Sequence, residues 1–386
     1  MVSLSARFRP ASRVAAVAWA GLVLAACSSQ REVRIIEFGW DIPDTSFMRR
    51  HVQQMAQTPF DGCVFNLIAV GEKGRRTNVG WSFWGRRRFA WGEVRHATQD
   101  LKLARSGRFR HHFLRINATP GLVDWYDDFS AIVANARLAA RVAREGECAG
   151  LLLDTEQYEG AVFSYRQQRY APRRSWEEYA RQARMRGREI MHAFEQGYPG
   201  LTVLLTFGAS VPWWQSHVDQ QRPLAECSYG LLAPFTEGLV AGTHGGHIVD
   251  GYELSYGFRD PAQFRRARDE VRHGAFTLLG GDPLRRQKMT LGFGLWLDFE
   301  RPRYPWSETQ LESNYFTPRA FERSLRAAIE HSDGYVWVYS ETPRWWTPEG
   351  APAKLPSAYA DAIRRARAGA LANRAAPTPE APAHQR

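Results

Sequence analysis

Cysteine is scarce in this chain, with four residues in 386, at positions 27, 63, 148 and 227, and no two of them in C-x-x-C spacing. That excludes a disulfide-stapled scaffold and a cysteine-built zinc site. The histidines offer no replacement. His111 and His112 are adjacent and so point to opposite faces of a strand, while His244 and His247 fall in a glycine-rich loop. Neither pair has metal-ligand spacing, and no metal is expected. Glycine-rich phosphate motifs are also missing. No GxGxxG or P-loop follows the first strand, which disfavours nucleotide binding, and nothing calls for a cofactor. No repeat of 20–50 residues argues for a solenoid or propeller.

Acidic residues are in deficit, 40 Asp and Glu against 51 Lys and Arg, for a net charge of +11. Most of the arginines lie along predicted helices and alternate with acids, as at 173–188 and 265–268, so solvated helix faces account for much of the excess. No RNP, helix-turn-helix or zinc-finger pattern accompanies the charge, and nucleic acid is not an expected partner. Weak attraction to acidic polysaccharide or envelope surfaces is the better use of it.

Aromatic residues are abundant: 14 Trp, 14 Tyr and 21 Phe. An excess of this kind suggests surfaces that stack on planar partners, with sugars a common choice. Five aromatics crowd residues 81–91, in a long insertion after the second predicted strand.

At the N-terminus, Arg7, Arg9 and Arg13 precede an apolar segment at 14–26, too short to span a membrane, followed by Cys27-Ser28-Ser29. The ending Leu24-Ala25-Ala26-Cys27 resembles the bacterial lipobox. That resemblance implies a signal peptide at 1–26, lipidation of Cys27, a short tether at 27–32 and an extracytoplasmic protein anchored to the envelope. Ser28 after the cysteine favours the outer membrane.

Apolar runs bounded by turn residues predict strands at 34–41, 62–67, 111–117, 149–154, 201–207, 247–254, 288–297 and 334–340. Helical periodicity falls between most of them, at 45–57 with Thr45 as N-cap, 129–144, 175–196 with the capping box Ser175/Glu178, 260–272 and 317–331. Eight strands alternating with helices predict an α/β fold, a (β/α)₈ TIM barrel at 33–367 as a single domain. Promoting 229–235 to a ninth strand would instead give an open doubly wound sheet. The Ala/Pro-rich stretch at 368–386 predicts a disordered tail.

The centre of the chain is AGLLLDTEQY at 149–158, an unbroken leucine run that ends in Asp154 and Glu156. Side chains two apart on a strand share a face, roughly 6–7 Å apart. Both acids should therefore open onto the C-terminal mouth of the barrel, where ligands bind. The same parity places Tyr339 and Trp337 inward on strand 8 with Glu341 beyond them. It places Trp296 and Asp298 on the Gly292/Gly294 side of strand 7, and Arg115 with Asn117 on strand 3. Glu37 and Asn66 are the polar candidates on strands 1 and 2, and Glu253 and Tyr256 those on strand 6. Such a polar ring is costly to bury unless it pairs internally or meets a polar ligand. A structural ion pair of Asp154 or Glu156 with Arg115 is the competing explanation.

Two carboxyls in one enclosed site push their proton affinities apart, the division of labour that glycoside hydrolysis uses. The DTE stretch after a leucine-rich fourth strand resembles the DxE signature of chitinase-like, substrate-assisted glycosidases. That resemblance implies a glycoside hydrolase with Glu156 as acid and Asp154 as the residue that assists or stabilises. Tyr256 and Trp337 stand where that family has its tyrosine and its tryptophan floor. The family's longer DxxDxDxE run is absent, with Ala149 and Leu152 at the earlier acidic positions. A retaining barrel glycosidase would instead pair Glu156 with Asp298 or Glu300, or take Glu253 as nucleophile. The alternative outside enzymes is a non-catalytic carbohydrate-binding lipoprotein on a degenerate barrel.

Overall fold

Leucines 151–153 show why a parallel barrel forms: Leu151 and Leu153 pack outward into the large core under the helices, while Leu152 points inward with a second, separate cluster. A strand that is apolar on both faces needs cover on both, which antiparallel edges do not provide. The computed structural model describes residues 32–119, 122–219, 221–300, 302–347, 349 and 355–375. The signal segment, Cys27 and positions 376–386 lie outside them.

The strands are β1 Arg34–Glu37, β2 Gly62–Phe65, β3 Phe113–Asn117, β4 Gly150–Asp154, β5 Thr202–Leu205, β6 His247–Asp250, β7 in two segments, Met289–Leu291 and Phe293–Trp296, and β8 Tyr335–Tyr339. Every pairing among them is parallel. The sheet runs as nine segments whose two ends are the halves of β7. The first half pairs with β6 and the second with β8, and only Gly292 separates them. Gly292 donates its N–H to the Asp250 carbonyl at 2.7 Å, so the nine segments close as eight staves. The expected crowding at Gly294 is present, since a Cβ there would stand 2.8 Å from the Trp337 ring.

A main helix follows each strand, with shorter ones beside it after β2, β5 and β6: α1 Thr45–Met55, α2 His96–Leu103, α3 Ser130–Glu145, α4 Trp176–Gly197, α5 Leu232–Gly242, α6 Pro261–His273, α7 Pro318–His331 and α8 Ser357–Ala375. Residues 229–235 contain no strand, so the doubly wound alternative falls. The Ser175/Glu178 capping box opens α4 as expected. Two expectations are corrected. Asp44, not Thr45, caps α1, accepting the Phe47 N–H at 2.8 Å, because its carboxylate reaches back over the first turn. Residues 368–375 are helical, not a disordered tail. They continue α8, whose Arg367 grips both carboxylate oxygens of buried Asp61 at 2.9 Å and ties the last helix beneath β1 and β2.

The insertion after β2 forms a hairpin, Ile68–Val70 against Arg76–Asn78, and a short helical turn, Val79–Ser82. Phe83, Trp84 and Phe89 sink into the outer core, and Trp81 alone of the first three aromatics stays at the surface.

Candidate active site

The barrel interior is filled by Ile36, Phe38, Val64, Phe113, Leu152, Leu204, Val249 and Trp337, so it is a packed core and no pore. Above it, at the C-terminal ends of the strands, lies a cavity of about 630 Å³. Its walls come from five of the eight strand-to-helix connections and from the insertion. They carry Phe38, Trp40, Trp81, Tyr158, Tyr256, Trp296 and Tyr339 as aromatics and Asn66, Arg115, Glu156, Glu253 and Glu341 as polar groups.

Parity explains which acids reach it. On β4 the inward positions are Gly150, Leu152 and Asp154, and the alternation carries on past the strand through Glu156 to Tyr158. Asp154 is fully buried and does not line the cavity. Asn117 stands beside it in register on β3. Oδ2 of Asp154 accepts from Arg115 Nη2 at 2.5 Å, from Asn117 Nδ2 at 3.2 Å and from Tyr158 Oη at 2.9 Å, and Oδ1 accepts from the Glu156 N–H at 3.1 Å. Asp154 thus forms the ion pair with Arg115, and both its oxygens are engaged by donors. Arg115 is itself held among rings, 5.3 Å from the centroids of both Phe38 and Trp81.

Glu156 is the group left facing the cavity. Burial, and next the charge of Asp154, push its carboxyl up to about 7, against the pull of Tyr158 and Arg115. Across the cavity Glu253 is pushed well above the usual carboxylate range, first by burial and then by Glu156 and Asp154. Its Oε2 is buried without a partner among the described residues, and the Tyr256 side chain stands beside it. Glu253 was expected on strand 6. The strand instead ends at Asp250, Tyr252 takes a left-handed φ of 46°, and Glu253 starts a single helical turn, Glu253–Ser255. Such a conformation costs a non-glycine residue about 1–3 kcal/mol. Packing of the Tyr252 ring against Phe293 and Phe258 offsets it and swings Glu253 into the mouth.

The aromatic wall is braced. Tyr256 stacks on Tyr339 at 5.5 Å, and the Tyr339 hydroxyl accepts from Trp40 Nε1 at 2.6 Å and contacts Glu341 at 3.2 Å. Trp40 is 58% exposed and stands between this cavity and a second one of about 450 Å³ that contains Arg50 and Arg344.

Among the expected site residues, Asn66, Arg115, Glu156, Glu253, Tyr256, Trp296, Tyr339 and Glu341 meet at one cavity. Five others do not line it, Asp154 among them as described above. Glu37 faces the helices, since Ile36 and Phe38 take the inward positions of β1. There it is fully buried beside Asp41, neither of its carboxyl oxygens having a hydrogen-bond partner among the described residues. Asn117 lies below as a donor to Asp154. Asp298 spends its oxygens on the Trp296 indole at 2.9 Å and the N–H groups of Glu341 and Thr342 at 3.0 and 2.8 Å, bracing the loop after β8. Trp337 is fully buried under the cavity, its Nε1 donating to the Gly251 carbonyl at 3.0 Å. Glu300, the other proposed partner of Glu156, lies outside the lining. Tyr158 and Trp40 were missed as site residues. Extending the Asp154/Glu156 alternation by one step would have found Tyr158.

No family model and no curated protein matches the chain. Among solved structures, it is similar to a GH18 chitinase from Pseudoalteromonas aurantia, at 10% identity, with a TM-score of 0.43, over 86% of this chain and 99% of that one. At that score the likeness carries no argument, and the barrel rests on its own strand pairing. The chain is a (β/α)₈ barrel with an acid-bearing, aromatic-walled mouth.

Proposed function

We propose that this protein is a glycoside hydrolase that cleaves an oligo- or polysaccharide by carboxylate acid/base chemistry. The observation that carries the reading is Glu156, a cavity-facing carboxyl held up to about 7 beside a buried, donor-saturated Asp154. A general acid works best with its proton affinity near the operating pH, and Glu156 meets that requirement. Protonation of the glycosidic oxygen by Glu156 would leave positive charge at the anomeric carbon. Asp154, immobile behind it, would stabilise the site electrostatically without touching substrate. Glu253 is the second carboxyl bordering the same space. Trp40, Trp81, Trp296 and Tyr339 supply faces on which sugar rings stack. The cavity beyond Trp40 gives a chain room to continue.

The reading departs from the chitinase-like resemblance at one point. An Asp154 with every oxygen engaged and no exposure is not placed to hold an acetamido group. The test is a panel of glycans, N-acetylated ones included, offered to wild-type protein and to Glu156→Gln, with new reducing ends as readout. Release by the wild type that the variant loses supports the enzyme. Binding by both with release by neither replaces it with the carbohydrate-binding alternative.

We further propose that the protein works outside the cytoplasm, held by a lipid on Cys27. The support is the lipobox-like segment 24–27. Metabolic labelling with radioactive palmitate should mark the wild type and not Cys27→Ala, and equal labelling of both would remove the anchor.

A further inference from the structure

Tyr158 has more partners than a phenol has protons. Its oxygen lies 2.9 Å from Asp154 Oδ2, within hydrogen-bond reach of Glu156 Oε2, and accepts from Arg115 Nη2 at 3.2 Å. A tyrosine hydroxyl donates one proton only. Burial, with the charges of Asp154 and Glu156 added, drives its own acidity far out of range, so it remains an O–H donor at any ordinary pH. One donor thus faces two carboxyl oxygens.

The rest of the geometry says how both are served. The ring, 44% exposed, tilts against Trp81 at 5.1 Å, and its backbone is held by the Tyr158 N–H on Thr119 Oγ1 at 3.1 Å and that hydroxyl on the Glu156 carbonyl at 2.9 Å. Both carboxyl oxygens lie within reach of the phenol oxygen where it stands, so the proton can pass between them by turning about the C–O bond. Asp154 has Arg115, Asn117 and the Glu156 N–H besides the phenol, so it loses little when the phenol turns away. Glu156 has no other side-chain hydrogen-bond donor among the described residues, so it gains much.

We propose that Tyr158 is a swivelling donor, whose proton points at Asp154 while Glu156 holds the acid proton and turns to Glu156 once that proton has been given away. The step rests on the hydrolase reading above. The glycosidic C–O bond breaks, its electron pair stays on the leaving oxygen, and that oxygen takes the Glu156 proton. Glu156 is left as a carboxylate, and the Tyr158 O–H, itself never broken, rotates about its C–O bond to meet the new charge. A water molecule then bonds to the anomeric carbon and gives a proton to Glu156, and the phenol turns back. Tyr158 is in this sense a positioning residue, acting through Glu156.

The groups that face Glu156 are Asp154 and Tyr158 on its own stretch, Arg115 from β3, Glu253 and Tyr256 from the turn after β6, Tyr339 from β8, and Tyr229. Tyr158→Phe leaves all the others in place and takes away the one donor that favours ionised Glu156, so the Glu156 titration should rise. The experiment is an infrared pH titration of the protonated carboxyl band, identified as that of Glu156 by its loss in Glu156→Gln. The midpoint in Tyr158→Phe should stand about one pH unit above that of the wild type. On any glycan the wild type turns over, kcat should fall about ten- to hundredfold, with KM within about threefold. Replacement by 3-fluorotyrosine, which keeps the donor, should retain most of kcat. A midpoint that stays or falls in Tyr158→Phe, with near-UV circular dichroism unchanged, would overturn the swivel and leave a phenol that serves Asp154 alone. If no glycan is turned over by the wild type, the hydrolase reading fails, while the infrared midpoint still decides whether the phenol alternates.

Discussion

Glu37 with Asp41, and Asp154 with Glu156, are two carboxyl pairs at the C-terminal ends of β1 and β4, two staves of one barrel. In both, burial is the leading cause that raises a carboxyl above its ordinary range, and a neighbouring carboxylate is the next. The difference is access. Glu37 itself is sealed on the helix side of β1, and its partner Asp41 borders the second cavity rather than the acid-bearing one. There Asp41 accepts the Trp345 N–H at 2.9 Å and its carbonyl the Trp346 indole at 2.8 Å, pinning the loop after β8 to the loop after β1. In the other pair, the buried acid takes most of the donors and the second acid, which shares only the Tyr158 hydroxyl, is left facing an open cavity. A raised proton affinity therefore marks burial, and it marks a site only where a ligand can reach the proton.

Exchanging each acid for its amide should expose the difference. Glu156→Gln removes a proton donor from the cavity, and turnover should fall about 10²–10⁴-fold. Glu37→Gln keeps the shape and the neutral hydrogen-bonding character of a buried protonated acid, so turnover should stay within about tenfold of wild type. Steady-state kinetics on a glycan cleaved by the wild type decide it. A loss in Glu37→Gln as deep as that in Glu156→Gln would erase the distinction.

The strand count, the closure and the DTE corner were legible in the sequence because period-two alternation and unbroken apolar runs survive in any parallel barrel. Parity also placed Tyr339, Trp296 and Arg115 correctly. It failed at Glu37 because a four-residue strand carries no sign of which face is the interior, and the polar residue drew the assignment. It failed for Glu253 because the turn that presents it depends on a left-handed Tyr252, which no propensity announces. Helix α8 was lost to its Ala-rich composition, since its docking through Arg367 on Asp61 is a contact between residues 306 positions apart. Trp337 was placed on the correct face, but its depth in the barrel is tertiary.

The Arg115–Asp154 pair sharpens the comparison from the stability side. Arg115→Leu would leave Asp154 buried with Asn117, Tyr158 and one backbone N–H as its only donors. Removing one partner of a buried ion pair costs about 3–5 kcal/mol. The surviving hydrogen bonds put the expected loss at the low end, read as a lower urea midpoint. Arg344, which lowers the proton affinities of Glu37 and Asp41, is partly exposed, and Arg344→Leu should cost less. Equal losses would mean that the two pairs are held in the same way.

The smallest effect is the pH dependence of folding. Glu156 titrates near 4.5 when unfolded and near 7 when folded. As pH rises between these values, the unfolded chain releases the proton while the folded chain still holds it, so ionisation favours the unfolded state. The contribution of Glu156 to stability is thus complete below about 4.5 and is lost as pH climbs through about 7. Allowing for solvent screening at the cavity, the loss is about 1–2 kcal/mol. Glu37 shifts in the same direction and acts with the same sign. Urea unfolding at pH 4.5 and pH 8 should therefore show each of Glu156→Gln and Glu37→Gln losing less stability than wild type over that interval, whatever each does to turnover. A wild-type curve that gains stability from pH 4.5 to 8, with both variants parallel to it, would mean that neither carboxyl holds its proton in the folded protein. The contrast between the sealed pair and the open one would then lose its common ground.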